Sequence, residues 1–334
     1  MNMLPSSPFV TSSPSAGARS SAISPFHVGI DVSKARLDVA LYPSSDSFAV
    51  ANTAAGHDEL VSRLVPLSPV AIVLEASGGY ERDGLAALLA AGLPVQRVNP
   101  YRVRQFARSR GILAKTDRLD ARVLAAFAAT MPLRLAQPLS AEQTALAELV
   151  GARQTIAADA ARARLSAQHW REPALVKLAS RRLAALKDEL AALDKLIAAK
   201  IRTTPEFAQR EALLHSIPGV GPVLAATLLA KMPELGNISR REAAALVGVA
   251  PFACDSGTLR GKRMIWGGRA EIRTVLYMGA VAAIRCNPPL KAFYERLIKA
   301  GKPRKLALTA VMRKLLTVAN AIAKSGQLWS PPPL

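Results

Sequence analysis

The stretch "HVGIDVSKARLDVAL", residues 27–41, decides how the first third of the chain folds. "HVGIDVS" is a short apolar run with β-branched residues and reads as a strand. The alternating "ARLDVALYP" after it reads as its hairpin partner. Working outward, "SFAVAN" adds a third strand, and "GHDELVSRLVPL" has helical spacing. "PVAIVLEAS" is a near-continuous apolar run, as expected of a central buried strand. "GLAALLAAGL" is helical and "PVQRVNP" is a short strand. "PYRVRQFARSR" and "TDRLDARVLAAFAATM" are helices. Three strands, a helix, then alternating strands and helices predict a mixed-sheet α/β domain over residues 26–135.

That order is the order of an RNase H-like core rather than of a doubly wound nucleotide-binding fold. No GxGxxG or GxxxxGK[ST] follows a strand, so nothing is set up to cradle a dinucleotide or a nucleoside triphosphate. Residues 1–25 are rich in Ser, Pro and Ala, and they lack the basic start and apolar run of a secretory signal. They read as a disordered leader. Arg19 is their only basic residue, which disfavours a transit peptide.

Residues 140–211 are rich in Ala, Leu, Lys and Arg. "LASRRLAALKDELAALDKLIAAKI" carries one apolar stripe along a long helix. Its partner is "EQTALAELVGARQTIAADAARARL", in an antiparallel pair within one subunit or in an intermolecular coiled coil; both readings are open. Residues 212–330 form a mainly α-helical domain with a Gly-rich basic loop, "FACDSGTLRGKRMIWGG". "SIPGVGPVL" resembles one half of a helix-hairpin-helix element, in which Gly219 and Gly221 would let a phosphate approach free N–H groups. A tight turn between core helices accounts for it equally well.

The 334 residues hold 44 Lys and Arg against 24 Asp and Glu, a formal charge of +20. Such a balance calls for an anionic partner, nucleic acid first and an anionic membrane surface second. No uninterrupted apolar span is long enough to cross a bilayer, so no membrane partner is expected. Cys254 and Cys286 form no CxxC, and with four scattered histidines they give no zinc spacing. A reduced, cytoplasmic chain is expected. Arg102, Arg104, Arg108 and Arg110, with Tyr101 and nearby Lys115, make a basic stripe suited to a nucleic-acid backbone. "KPRKLALTAVMRK" adds a second positive face. Trp266 either stacks on a base or packs the basic loop onto a helix.

Against this charge four acids stand out. Asp31 lies in the first strand, Glu75 ends the central strand, and Asp117 and Asp120 share one helix face because positions three apart are neighbours there. In an RNase H-like core the first and fourth strands lie side by side and a later helix packs on them, so the four acids can converge. Carboxylate oxygens are the preferred protein ligands of Mg²⁺. Two such ions can hold the attacking and leaving oxygens of a phosphoryl displacement. Taken singly, each acid reads first as an ordinary strand end or a helical ion-pair partner.

"GIDVSKARLDVAL", "VLEASGGY", "VNPYRVRQFARS" and "AKTDRLDARVLA" resemble the DEDD transposases of insertion-sequence family 110. "IPGVGPVLAATLLA" and "LVGVAPFACDSGTLRGKRMIWGGRAEIRTVLYMGA" resemble that family's C-terminal transposase domain. The resemblance runs from about His27 to Trp329. It implies a RuvC-like N-terminal domain with Asp31, Glu75, Asp117 and Asp120 as the metal-binding tetrad, then a helical coiled-coil segment. It further implies a C-terminal domain with a serine nucleophile, which maps to Ser256. Members act on DNA with a structured noncoding guide RNA, as homo-oligomers (dimers or tetramers) with composite active sites. Chemically, Arg260, Lys262, Arg263 and Arg269 would neutralise the attacked phosphate, while Asp255 is not expected to serve as the base. Ser-Gly is also a common turn dipeptide. Two rivals stay open: a RuvC-type endonuclease that merely hydrolyses DNA, and a basic nucleic-acid-binding protein without catalysis.

Overall fold

The computed structural model describes residues 25–112, 117–136, 138–253, 255–256, 259–261 and 263–331. Nearly all of the leader, Lys115, Cys254 and Lys262 lie outside the described residues, as do the side chains of Asp117 and Arg260. The chain divides into two units, residues 1–138 and 139–334.

In the first unit, β1 (His27–Val32), β2 (Arg36–Tyr42), β3 (Ser47–Ala51), β4 (Ala71–Glu75) and β5 (Val95–Val98) form one sheet in the order β3-β2-β1-β4-β5. β1–β2 and β2–β3 are antiparallel, whereas β1–β4 and β4–β5 are parallel. This is the expected mixed sheet, with the first and fourth strands adjacent. Alternation along each strand sends side chains to opposite faces. Val28, Ile30, Leu37, Val39, Ile72 and Leu74 face one way, onto α1 (Ala54–Leu64) and α2 (Arg82–Ala90). Ala40 and Val73 face the other way, onto α4 (Asp117–Thr130), which is flanked by α3 (Pro100–Ser109). Burial on both faces explains why β4 reads as a continuous apolar run.

The second unit is helical. α5 (Ala141–Ala167) and α6 (Pro173–Thr203) pack on each other as a hairpin, which is the within-subunit alternative. The base of the hairpin shares a core with the helices that follow. Leu146, Val150, Ile197 and Ile201 are buried with residues of α7 (Pro205–His215) and α8 (Pro222–Lys231). Gln143 donates through Nε2 to the carbonyls of Leu229 and Ala230. α9 (Arg240–Val247), α10 (Ala270–Cys286), α11 (Pro288–Lys299) and α12 (Arg304–Ser325) complete the unit. α11 has no counterpart in the sequence reading. Its signal was "NPP": Asn287 caps the helix by accepting from the Leu290 N–H, and Pro288 supplies the first-turn φ.

Two expectations need correction. α12 is 22 residues long and apolar enough to cross a bilayer by length and composition. Here, however, it buries Val311, Met312, Leu315 and Leu316 against α7, α9, α10 and α11. The basic loop is not irregular: β6 (Pro251–Phe252) pairs with β9 (Met264–Ile265), and β7 (Asp255–Ser256) pairs with β8 (Leu259–Arg260), all antiparallel. Ladders two residues long leave no period-2 pattern to read.

Candidate active site

Asp31 and Glu75 end up side by side for a simple reason of register. In the parallel pair Ile30 lies opposite Leu74, so the next residues, Asp31 and Glu75, occupy neighbouring positions on strands about 4.8 Å apart. By alternation they share the face of Ala40 and Val73, the face that α4 covers. What sets α4 there is Gly29. A Cβ on Gly29 would lie 2.1 Å from the Ala121 carbonyl oxygen and 2.2 Å from the Ala125 nitrogen. Only a glycine lets the helix backbone rest directly on β1.

Ala121 also shares a cavity of about 160 Å³ with Arg36 and Asp38, the latter paired with Asp31 across the β1–β2 ladder. The first turn of α4, with Asp117 and Asp120, therefore starts at the end of the sheet where Asp31 and Glu75 stand. All three described acids are half-buried. Asp31 accepts the Val32 N–H on Oδ1 at 3.1 Å. Their donor chemistry, all carboxylate oxygen, fits a hard divalent cation. Among the described residues, no three His, Cys, Asp or Glu side chains are close enough together to hold a metal ion as they stand. The fourth acid of the expected set, Asp117, has its side chain outside that description.

The structure adds a carboxylate the sequence reading missed. Asp38 lies directly opposite Asp31, is 6% exposed, and takes a two-point ion pair from Arg36, with Nε–Oδ2 at 2.8 Å. Its signal was the hairpin register, which sets two aspartates on one face. The loops after the acids are also tied together. Asn52 donates through Nδ2 to the Ser33 carbonyl at 2.9 Å and the Tyr80 carbonyl at 3.0 Å, and its Oδ1 meets His57 Nε2 at 2.7 Å. One amide thus joins the turn after β1 to the loop after β4. Within that loop Glu81 is buried and accepts from Ser77 N, Gly79 N and Arg97 Nη1. Burial pushes its carboxyl up, but the backbone N–H bonds and the Arg97 charge together outweigh this and hold it below the usual carboxylate value.

The expected arginine stripe on α3 divides in two. Val103 and Ala107 are buried. The 100° step per residue puts Arg104 and Arg108, with exposed Tyr101, on one flank of them. Arg102 and Arg110 occupy the other flank, where Arg102 covers the Phe127 ring and Arg110 the Phe106 ring. Part of this charge is therefore packed on aromatic faces.

In the second unit Ser256 is exposed on β7, opposite Leu259. Neighbouring Asp255 accepts the Gly261 N–H on Oδ1 at 3.1 Å, and successive strand residues point to opposite faces. The arm that carries Ser256 is anchored by glycines. Gly248 ends α9 at φ +73° and Gly268 lies at φ +68°; a Cβ on Gly268 would be 2.2 Å from Gly248 N. Arg273 Nη1 donates to the Val247 and Gly267 carbonyls across this contact.

Arg269 is turned inward rather than toward the loop. It pairs with Glu234 through both Nη atoms and donates to the Lys231 carbonyl. Arg263 is exposed. Trp266 is 60% exposed rather than packed down. Gly219 serves the core: at φ +104°, a Cβ would lie 2.5 Å from Ala283 Cβ. That favours the tight turn between core helices, while Gly221 stays exposed at the start of α8.

Two family models match the chain. The model for IS110-type DEDD transposases, described as "Transposase", matches residues 28–170. The model described as "Transposase IS116/IS110/IS902 family" matches residues 211–295. The "Pilin gene-inverting protein" of Moraxella lacunata is 29% identical over 315 residues, covering 90% of this chain and 96% of that protein. The "Insertion element IS110 uncharacterized 43.6 kDa protein" of Streptomyces coelicolor is 27% identical over 149 residues, 44% of this chain and 36% of that protein. Among solved structures, Thermus thermophilus RuvC is 21% identical, covers 34% of this chain and 99% of that one, and has a TM-score of 0.27. With both halves of one family matched in order on a β3-β2-β1-β4-β5 sheet and a helical second unit, this chain belongs to the IS110 family of DEDD transposases, enzymes that cut and rejoin DNA.

Proposed function

We propose that Asp31, Glu75, Asp117 and Asp120 hold two Mg²⁺ ions while Ser256 attacks the DNA backbone, with a structured noncoding RNA choosing the sites. The observation that supports the reading is the bare backbone contact at Gly29, where α4 rests on the sheet face that Asp31 and Glu75 share. Bound there, the ions would polarise the phosphoryl group under attack. The protein's own part is covalent. Ser256 Oγ forms a bond to phosphorus, the bridging bond to one deoxyribose oxygen breaks, and the serine proton passes in net to the released sugar hydroxyl. The phosphoserine diester keeps the bond energy that rejoining needs and hydrolysis discards. Arg260, Lys262 and Arg263 on the arm offset the phosphate charge.

The Moraxella relative is named for inverting a gene, and an inversion cuts and rejoins both strands at two sites of one DNA molecule. Carried over, that supports conservative cutting and rejoining here. The net charge of +20 suits DNA and RNA held together, in a homo-oligomer working in the bacterial cytosol.

The test combines the full chain, Mg²⁺, plasmid DNA carrying the element ends, and RNA transcribed from the flanking segment. The expected product is a denaturation-resistant protein–DNA adduct. Ser256→Ala should abolish it, and Asp31→Asn should abolish it and all cutting. A Ser256→Ala chain that still nicks DNA at the wild-type rate would instead identify a hydrolase. DNA processing that survives both changes would rule out both enzymatic readings.

A further inference from the structure

A cavity of about 1,470 Å³ in the second unit shares only Arg263 with the reaction as set out above. Its walls come from the start of α9, the root of the serine arm, the α11–α12 turn and one side of α12. Seven cations line it. Arg240, Arg241 and Arg263 come from α9 and the arm; Lys302, Lys305, Arg313 and Lys314 come from the turn and α12. No Asp or Glu is found among the described lining residues. The remaining surface is mostly apolar, including Val249, Ile265, Phe293, Leu306 and Met264. Leu306 is 47% exposed and Met264 67%. Exposed apolar side chains inside a ring of like charge do not stabilise a folded monomer, and they call for an occupant.

We infer that this cavity binds a short single strand of DNA, with its bases on the apolar floor and its phosphates on the cationic walls. This deepens the reading of Ser256 as nucleophile and rests on it for the choice of DNA. The chemistry of the lining selects the class. A polyanion with flat apolar faces satisfies both the seven charges and the floor, whereas a paired duplex turns its bases away from the protein. Position selects the source. Pro251, Met264 and Ile265 line the cavity and belong to the ladder at the root of the arm. Ser256 lies five residues beyond Pro251, within about 18 Å of chain even if fully extended. A strand lying in the cavity would thus lead its phosphodiester toward the serine, with no part played by the acids of the first unit.

The test uses the full chain in EDTA, so that neither a metal centre nor catalysis is needed and the result stands apart from the adduct assay. Fluorescence anisotropy compares labelled oligo(dT), oligo(U) of equal length and a duplex of equal length, across a salt series. The Lys305→Glu/Lys314→Glu chain, altered at two exposed positions, should bind oligo(dT) at least tenfold more weakly. Its salt slope should be lower by about 1.4, two phosphate contacts at about 0.7 each. With oligonucleotides carrying 5-iododeoxyuridine, photocrosslinks should map to peptides containing Met264 or Phe293. Unchanged affinity and slope, or crosslinks mapping elsewhere, would overturn the inference. So would a loss confined to the duplex, or tighter binding of oligo(U) than of oligo(dT). An altered oligomeric mass with oligo(dT) binding intact would show instead that the cavity receives a second copy of the chain.

Discussion

The candidate chemistry sits on two very different supports. Asp31, Glu75 and Asp120 stand at the end of a sheet buried on both faces, where strand register and a helix resting on Gly29 fix their places. Ser256 stands on a narrow arm of two-residue ladders, exposed together with its neighbour Asp255. On the proposed reading, the difference follows from what each group would have to do. Carboxylates that share a cation must be preorganised, because like charges repel until the cation is bound. A nucleophile that bonds to one DNA strand and later releases it to another gains from reach.

The sheet end should be the less forgiving support. Gly29→Val places side-chain atoms where the backbone of α4 now runs, and no side-chain rearrangement can clear backbone atoms. The helix must lift off β1, opening the small cluster of Ala40, Ala121 and Ala125 and the larger one around Phe127. Overpacking against backbone falls at the upper end of single-substitution effects, about 4 kcal/mol or more. Chemical denaturation should show the first unit melting early while the helical unit keeps its transition. If stability and DNA cutting both survive, Gly29 is not what sets the acids in place.

The arm should break more locally. Gly268→Ala introduces a Cβ 2.2 Å from Gly248 N at a φ that side chains disfavour. Strain and overlap together cost about 2–4 kcal/mol. Gly267 and Gly268 are exposed, so the root can relieve part of this by splaying on its solvent side. Expected is loss of the Ser256–DNA adduct with only a modest fall in melting temperature. A drop in melting temperature as large as that of Gly29→Val would mean that the arm root belongs to the core, and the contrast between the two supports would fail.

These supports also differ in how far the sequence revealed them. Alternation and a continuous apolar run mark β1 to β5 because burial on two faces imposes a pattern on every residue. With the strands in order, Asp31 and Glu75 follow. Asp38 stayed hidden because its meaning depends on which residue lies across the ladder, a pairing that one strand cannot state. The root of the arm stayed hidden for the same reason at longer range: Gly248 and Gly268 meet across twenty residues of chain. In sequence Arg269 reads as a loop cation because nothing local announces Glu234. What a sequence withholds here is pairing, and both the fine placement of the acids and the rooting of the serine depend on pairing.

The smallest effect tests whether the order at the sheet end is electrostatic as well as steric. Glu81 holds the loop after Glu75 by accepting two backbone N–H bonds and the Arg97 guanidinium. Its carboxyl is more acidic in the folded chain than its usual value of 4.5. The folded state therefore binds this proton less tightly than the unfolded state does. The stabilisation is complete above about pH 4.5 and is lost as pH falls through the lower folded value. Glu81→Gln keeps the shape but removes the charge, and a hydrogen bond to a charged group is worth about 1.5–3 kcal/mol. The variant should melt below wild type at pH 7, and the gap should close as pH drops below 4.5. A gap that stays constant down to pH 3 would mean that Glu81 acts through shape alone. Buried backbone contact, with no electrostatic share, would then account for the rigidity of the acid-bearing end.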